Sequence, residues 1–118
     1  MVRPRQGDIY WVCFGRSKDS GPSGKRPAVV IQNDLLNKSL IQTTVVALIT
    51  SKLKLSEVPG NVRLRKGIAN ISKSSVVVVS QMSTIDKTRL LEKIGTLEKN
   101  IREEVLKNCR MVISTSLF

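Results

Sequence analysis

The chain contains no histidine. That absence removes imidazole acid–base catalysis, Ser-His-Asp triads and nearly all zinc sites. Any enzyme built from these residues works with Arg, Lys, Thr, Ser, Asp, Glu or a phenol. Acidic residues are also few, 9 against 20 Lys and Arg, which leaves a net charge of +11. Such an excess suits a polyanionic partner: nucleic acid, an acidic protein or an anionic membrane. The plainer reading is a charged, soluble surface. Aromatics make up 3 %, within a hydrophobic share of 41 %. The core is therefore aliphatic, and its Val and Ile bias favours strands. The same scarcity disfavours an extended aromatic platform for stacking bases. No apolar run approaches the roughly 18–20 residues that span a bilayer. The start, "MVRPRQGDIYW", lacks an apolar signal core. Cytoplasmic residence without a membrane partner is the expectation. Two cysteines remain, Cys13 in a strand pattern and Cys109 in a helical one. Both are expected as small core residues rather than a disulfide or a metal pair.

What is present fits one domain over residues 1–118. "DIYWVCF", Asp8 to Phe14, reads as the first strand. Its alternation puts Tyr10 and Phe14 on one face and Trp11 on the other, where Trp11 or Tyr10 could stack on a base at a rim. Gly15 to Lys25 is a long glycine-rich loop of the kind that carries function. "RPAVVIQND" is a second strand ending in a turn at Asn33-Asp34. "LIQTTVVALIT", Leu40 to Thr50, has almost no polar interruption and is predicted to be central. "VRLRKG" alternates as a half-exposed strand does, and "SSVVVVSQM" is another buried strand. Ser83 to Asp86 fits a capping box, which predicts a short helix over "DKTRLLEK". Apolar residues spaced mostly by four from Leu97 to Ile113 predict a longer amphipathic helix. The tail "STSLF" ends apolar and could dock on the core or on a second subunit. Strands first and helices last point to a small antiparallel barrel or sandwich with a terminal helix.

Unexplained polar residues cluster beside the buried strands. Arg26 stands at the mouth of the second strand. It is either a structural cation paired with Asp8 or Asp34, or a phosphate clamp that offers two parallel hydrogen bonds. Pro27 fixes φ and removes a competing donor. Thr50 closes the third strand, as a solvated strand-end hydroxyl or as a donor to a phosphate oxygen. Ser51, Lys52 and Lys54 follow, as a solvated loop or as guides for a sugar–phosphate backbone. Gln81 is a long amide just past an apolar run, either a satisfied core amide or a reader of a base edge. RNA carries its own nucleophile, the 2′-OH, so cleavage needs in-line geometry, charge stabilisation and a proton route. Arg and Thr can supply the first two without metal or histidine. The proton acceptor is not evident, because arginine is a poor base.

Five stretches taken in order resemble the MazF/PemK family of toxin ribonucleases: "RQGDIYWVCF", "SGPSGKRPAVVIQND", "VVALITSK", "SSVVVVSQMSTIDKTRLLEKIGTL" and "MVIS". The resemblance implies a mainly β fold, an SH3-like antiparallel β-barrel with helical additions and a C-terminal helix, as in the CcdB/Kid/MazF-like toxins. It implies a homodimeric, metal-independent endoribonuclease of a type II toxin–antitoxin system, without a cofactor. Such an enzyme cuts single-stranded RNA, including mRNA, to 2′,3′-cyclic phosphate and 5′-hydroxyl ends, inhibiting translation and growth. The implied catalytic pair is Arg26 and Thr50. Arg16, Ser17, Lys18, Asp19, Ser20 and Lys25 match the loop that shapes base recognition, and Gln81 matches a glutamine in RNA contact. The implied protein partner is a MazE-like antitoxin whose acidic, disordered tail covers the RNA site. Two departures stand out. Gly21 occupies the position of a common loop glutamate, and Ser80 replaces the acid before the glutamine. Two other functions share the barrel: a gyrase-inhibiting toxin resembling CcdB, and a nucleic-acid-binding module without catalysis.

Overall fold

The computed structural model describes residues 2–15 and 22–115. Six antiparallel strands form one curled sheet: β1 (Asp8–Cys13), β2 (Lys25–Val30), β3 (Thr43–Thr50), β4 (Val62–Leu64), β5 (Ser75–Asp86) and β6 (Leu90–Thr96). Their spatial order is β4-β5-β3-β2-β1-β6. Two helices complete it, α1 (Asp34–Asn37) between β2 and β3, and α2 (Lys99–Val112) at the end. No helix among the described residues is long and apolar enough to cross a membrane.

The alternation of the strands divides the apolar side chains between two faces. On one face Ile9, Val29, Ala47, Ile49, Val77 and Val79 pack with Leu97, Val105 and Cys109 at the foot of α2. On the other, Tyr10, Val12, Ala28, Val30, Val46, Ile85 and Leu90 form a smaller cluster, with Phe14 against it. The expected split of Tyr10 and Phe14 from Trp11 is therefore found. So is the central place of β3, which has β5 on one side and β2 on the other. The four-residue spacing in α2 buries Val105 and Cys109.

Three readings need correction. "DKTRLLEK" is not a helix. β5 runs on through Asp86 because its second half pairs with Thr43 to Ala47 of β3. The capping signal acts, but on a single 3₁₀ turn, Lys87–Arg89, where the Asp86 carboxylate accepts from the Thr88 amide at 2.9 Å. The chain then returns as β6, whose Leu90 fills the second core and whose backbone pairs with β1. Packing beside β1 overrides the local helix preference. Second, Cys13 is exposed, because it ends β1 on the outward side, whereas Cys109 is buried as expected. Third, the strand beginning at Leu40 starts at Thr43, and Leu40 is fully exposed. Residues 116–118 of the apolar tail lie outside the described residues.

β4 and β6 are the sheet's edges and do not pair. A 3₁₀ turn, Ile68–Asn70, spans the space between them. The Asn70 side-chain amide donates to the Ile94 carbonyl at 3.0 Å. A Cβ added at Gly95 would collide with the Ala69 carbonyl, so the turn lies directly on the backbone of β6. Ala69 and Asn70 both adopt left-handed backbone angles, φ 49° and φ 64°. Asparagine tolerates that region, whereas alanine is strained there.

Candidate active site

β2 and β3 pair at Val30–Val46, Val29–Ala47 and Ala28–Leu48, and there the ladder stops. Pro27 supplies the reason. The Ile31 amide donates across to the Val45 carbonyl at 2.9 Å. Backbone groups alternate in direction along a strand, so Val29 and then Pro27 also face β3. Pro27 has no N–H to carry the ladder onward. Continuing the register by two residues sets Arg26 opposite Thr50, on the same face of the sheet, where the strands are released from one another.

Arg26 is exposed, and its Nε donates to the Ser23 carbonyl at 3.2 Å. No other polar partner holds the guanidinium among the described residues. Neither acid suggested by the sequence is available to it. Asp8 is buried and accepts from the Arg5 amide at 3.0 Å and the Thr96 hydroxyl at 2.9 Å, with Lys93 at 3.4 Å. Asp34 accepts from the Gln6 amide at 2.7 Å and the Asn37 side chain at 3.1 Å. Partial burial opposes the charge on Asp34, but these donors, with Lys38 and Arg5 nearby, hold its pKa below the usual carboxylate value. Thr50 Oγ1 accepts weakly from the Lys52 amide at 3.3 Å. Its hydroxyl proton is left to point outward.

Two hollows meet at this pair, one on each face of the sheet. On the Arg26 face a groove of about 180 Å³ is lined by Pro22, Ser23, Leu48, Lys52, Leu55 and Gln81 together with Arg26 and Thr50. On the Trp11 face lies a cavity of about 530 Å³, walled by Trp11, Pro27, Ile49, Ile71 and Ile94 and rimmed by Lys25, Ser51, Asn70 and Lys73, which Arg26 and Thr50 also border.

Gln81 reaches the groove because β5 bulges. The β3–β5 register changes between Ala47–Met82 and Leu48–Val78, which leaves Val79, Ser80 and Gln81 in the irregularity. Such bulges re-aim side chains. Gln81 Oε1 is buried and accepts no hydrogen bond among the described residues. A buried acceptor without a donor is costly and calls for a partner. Lys25 stands over the Trp11 ring at 5.3 Å and near Glu92 at 3.8 Å.

The structure therefore brings Arg26, Thr50, Lys52 and Gln81 to the groove, and Lys25 and Ser51 to the cavity. It does not bring Lys54, which sits on a 3₁₀ turn and lines neither hollow. Arg16, Ser17, Lys18, Asp19 and Ser20 lie outside the described residues, as does Gly21. The loop's two ends are pinned: Phe14 donates to the Gly24 carbonyl at 2.9 Å, and Gly24 to the Gly15 carbonyl at 2.6 Å. Sequence reasoning missed the segment Asn70 to Lys73, although the glycine and flanking cations in "RKGIANISK" signalled a turn in a basic setting.

Residues 5–113 match the family model described as the PemK-like, MazF-like toxin of type II toxin–antitoxin systems. The chain is 35 % identical over 108 residues to endoribonuclease MazF6 of Mycobacterium tuberculosis, covering 92 % of this chain and 95 % of that protein. Its fold matches a crystal structure of MazF from Deinococcus radiodurans with a TM-score of 0.80 at 21 % identity, over 96 % of this chain and 98 % of that one. It also matches a MazE-MazF crystal structure from the same organism with a TM-score of 0.75 at 21 % identity, over 98 % and 100 % of the two chains. Sequence match, sheet topology and C-terminal helix agree, and the chain belongs to the PemK-like, MazF-like toxin family of type II toxin–antitoxin systems.

Proposed function

We propose that this chain cleaves single-stranded RNA at the Arg26–Thr50 corner and acts as the toxin of a toxin–antitoxin pair. The observation that carries the reading is the interrupted β2–β3 ladder. It leaves a guanidinium with unengaged terminal nitrogens opposite a hydroxyl whose proton is available, over a groove that also holds Lys52 and Gln81.

The groove supplies donors and no base, which suits a substrate that carries its own nucleophile. The ribose 2′-oxygen attacks the adjacent phosphorus, the bond to the 5′-oxygen breaks, and the products are a 2′,3′-cyclic phosphate and a 5′-hydroxyl. The proton of the 2′-OH passes to solvent, and the departing 5′-oxygen takes one up. Arg26 binds the non-bridging oxygens in pairs and neutralises the charge that builds on the phosphorane. Thr50 donates to one of the same oxygens. Lys52 follows the phosphate backbone, and Gln81 meets a base edge, where its unpartnered oxygen finds a donor. The reaction asks nothing of a metal or cofactor. A protein partner with an acidic tail would compete for the same cations. That reading is supported by the net charge of +11 and by the solved MazE complex of the Deinococcus relative. Its targets would be cytoplasmic mRNAs. Self-association as a homodimer is supported by uncovered apolar residues, Leu35 at 80 % exposure and Leu40 at 100 %.

The test is direct. Antitoxin-free protein is incubated with a long RNA in excess EDTA, and the ends are mapped. Discrete cuts with cyclic phosphate and 5′-hydroxyl ends are expected. RNA that is bound but stays whole would establish a binding module instead, and undiminished cutting by both Arg26→Ala and Thr50→Ala would remove the site assignment.

A further inference from the structure

We propose that the cavity on the Trp11 face holds the base of a nucleotide flanking the scissile phosphate, and that Asn70 sets which base it accepts. The proposal rests on the RNA-cleaving reading of the Arg26–Thr50 corner and extends it to the opposite face of the sheet.

Three observations converge. The cavity, about 530 Å³, lies within the range of small-ligand sites and adjoins the corner, since Arg26 and Thr50 border it as well as the groove. A strand whose phosphate sits on that corner runs from one hollow to the other. The walls are those of a base site. Trp11 offers the one indole of the chain, and Pro27, Ile49, Ile71 and Ile94 are apolar. The rim is cationic, with Lys25, Lys73 and Lys93, which suits the backbone entering above. An acidic peptide would meet the same cations but would have little use for an indole beside three isoleucines.

Asn70 is the polar reader at this rim. Its side-chain amide is fixed by the Ile94 carbonyl at 3.0 Å, so its Oδ1 is held in one direction. That oxygen accepts, and it favours a base that presents an exocyclic amine or a ring N–H. The left-handed turn at Ala69 and Asn70, seated on Gly95, places the carboxamide there. Backbone strain of this kind is retained where the position of a group matters.

The experiment uses the full-length, antitoxin-free chain and two readouts. One is the cut-site profile on a random RNA pool in EDTA. The other is Trp11 fluorescence during titration with a short RNA carrying 2′-deoxyribose at the preferred cut site. Asn70→Gly keeps a residue suited to φ 64° and removes the carboxamide. Loss of about tenfold base discrimination at one flanking position, and weaker binding of the deoxy-substituted RNA, are expected. Ala69→Gly, which relieves the strain and keeps Asn70, retains the native profile. A saturable Trp11 response that Asn70→Gly weakens upholds the subsite even if RNA stays uncut, in which case the cleavage reading alone fails. An unchanged profile and affinity in Asn70→Gly, or a Trp11 response to an acidic peptide but not to RNA, overturns the subsite.

Discussion

The two ends of the β2–β3 pair differ in almost every respect. At one end the chain passes through α1, and its polar groups are saturated. Buried Asn37 donates to the Gln32 carbonyl at 2.9 Å, and its Oδ1 accepts from Gln32 and from Thr44, each at 2.9 Å. Lys87 donates to the Asn37 carbonyl from across the sheet at 3.0 Å. At the other end Pro27 stops the ladder, and Arg26, Thr50 and Gln81 keep unused hydrogen-bonding capacity. The same two strands thus carry a locked end and an open end. Satisfied polar groups fix the register where nothing binds. Unsatisfied ones stand where a ligand can complete them.

The contrast can be broken from either side. The largest effect is expected from Arg26→Ala, which should slow RNA cleavage by about 100- to 1,000-fold, the loss typical of one transition-state donor. The melting temperature should stay put, because Arg26 is exposed and makes one long bond to Ser23. A large fall in stability would show that the open end is structural after all. At the locked end the reverse holds. Asn37→Ala strands the Gln32 and Thr44 donors in a buried site and should lower unfolding free energy by about 2–4 kcal/mol in urea titrations. Cleavage per folded molecule should be unchanged. Thr50→Val keeps the shape and removes the hydroxyl. A loss of about tenfold in cleavage rate, without a change in stability, is expected from one lost hydrogen bond. Asp34 gives the smallest effect. Its folded pKa lies below the unfolded value, so its stabilisation is present above that value and disappears as pH falls through the folded one. Acid unfolding followed below about pH 4 should be less steep in Asp34→Asn than in the native chain.

Much of the open end was legible in the residues. Arg26, Pro27 and Thr50 each break an apolar run at its margin, and such breaks mark strand ends. What the sequence withheld was their mutual placement, since the register that sets Arg26 opposite Thr50 depends on where pairing starts. Gln81 was visible as an odd amide, but not the bulge that aims it. The misread helix at "DKTRLLEK" has a related cause. Its capping signal was genuine, yet whether a chain turns into helix or strand after it is decided by β1, some eighty residues earlier. The Asn70 turn went unseen because its conformation is imposed by contact with Gly95 of β6 rather than by local preference.

That distant pairing of β1 with β6 has a consequence for how the protein is made. Asp8 sits beside Thr96, so β1 lacks one of its two neighbours until nearly the whole chain has emerged from the ribosome. The wall formed by Asn70 against Ile94 is incomplete until then as well. A toxin that cut its own message would stop synthesis early and release fragments without β6 or α2. Those fragments could not assemble the cavity described above, so the topology ties a finished site to a finished chain.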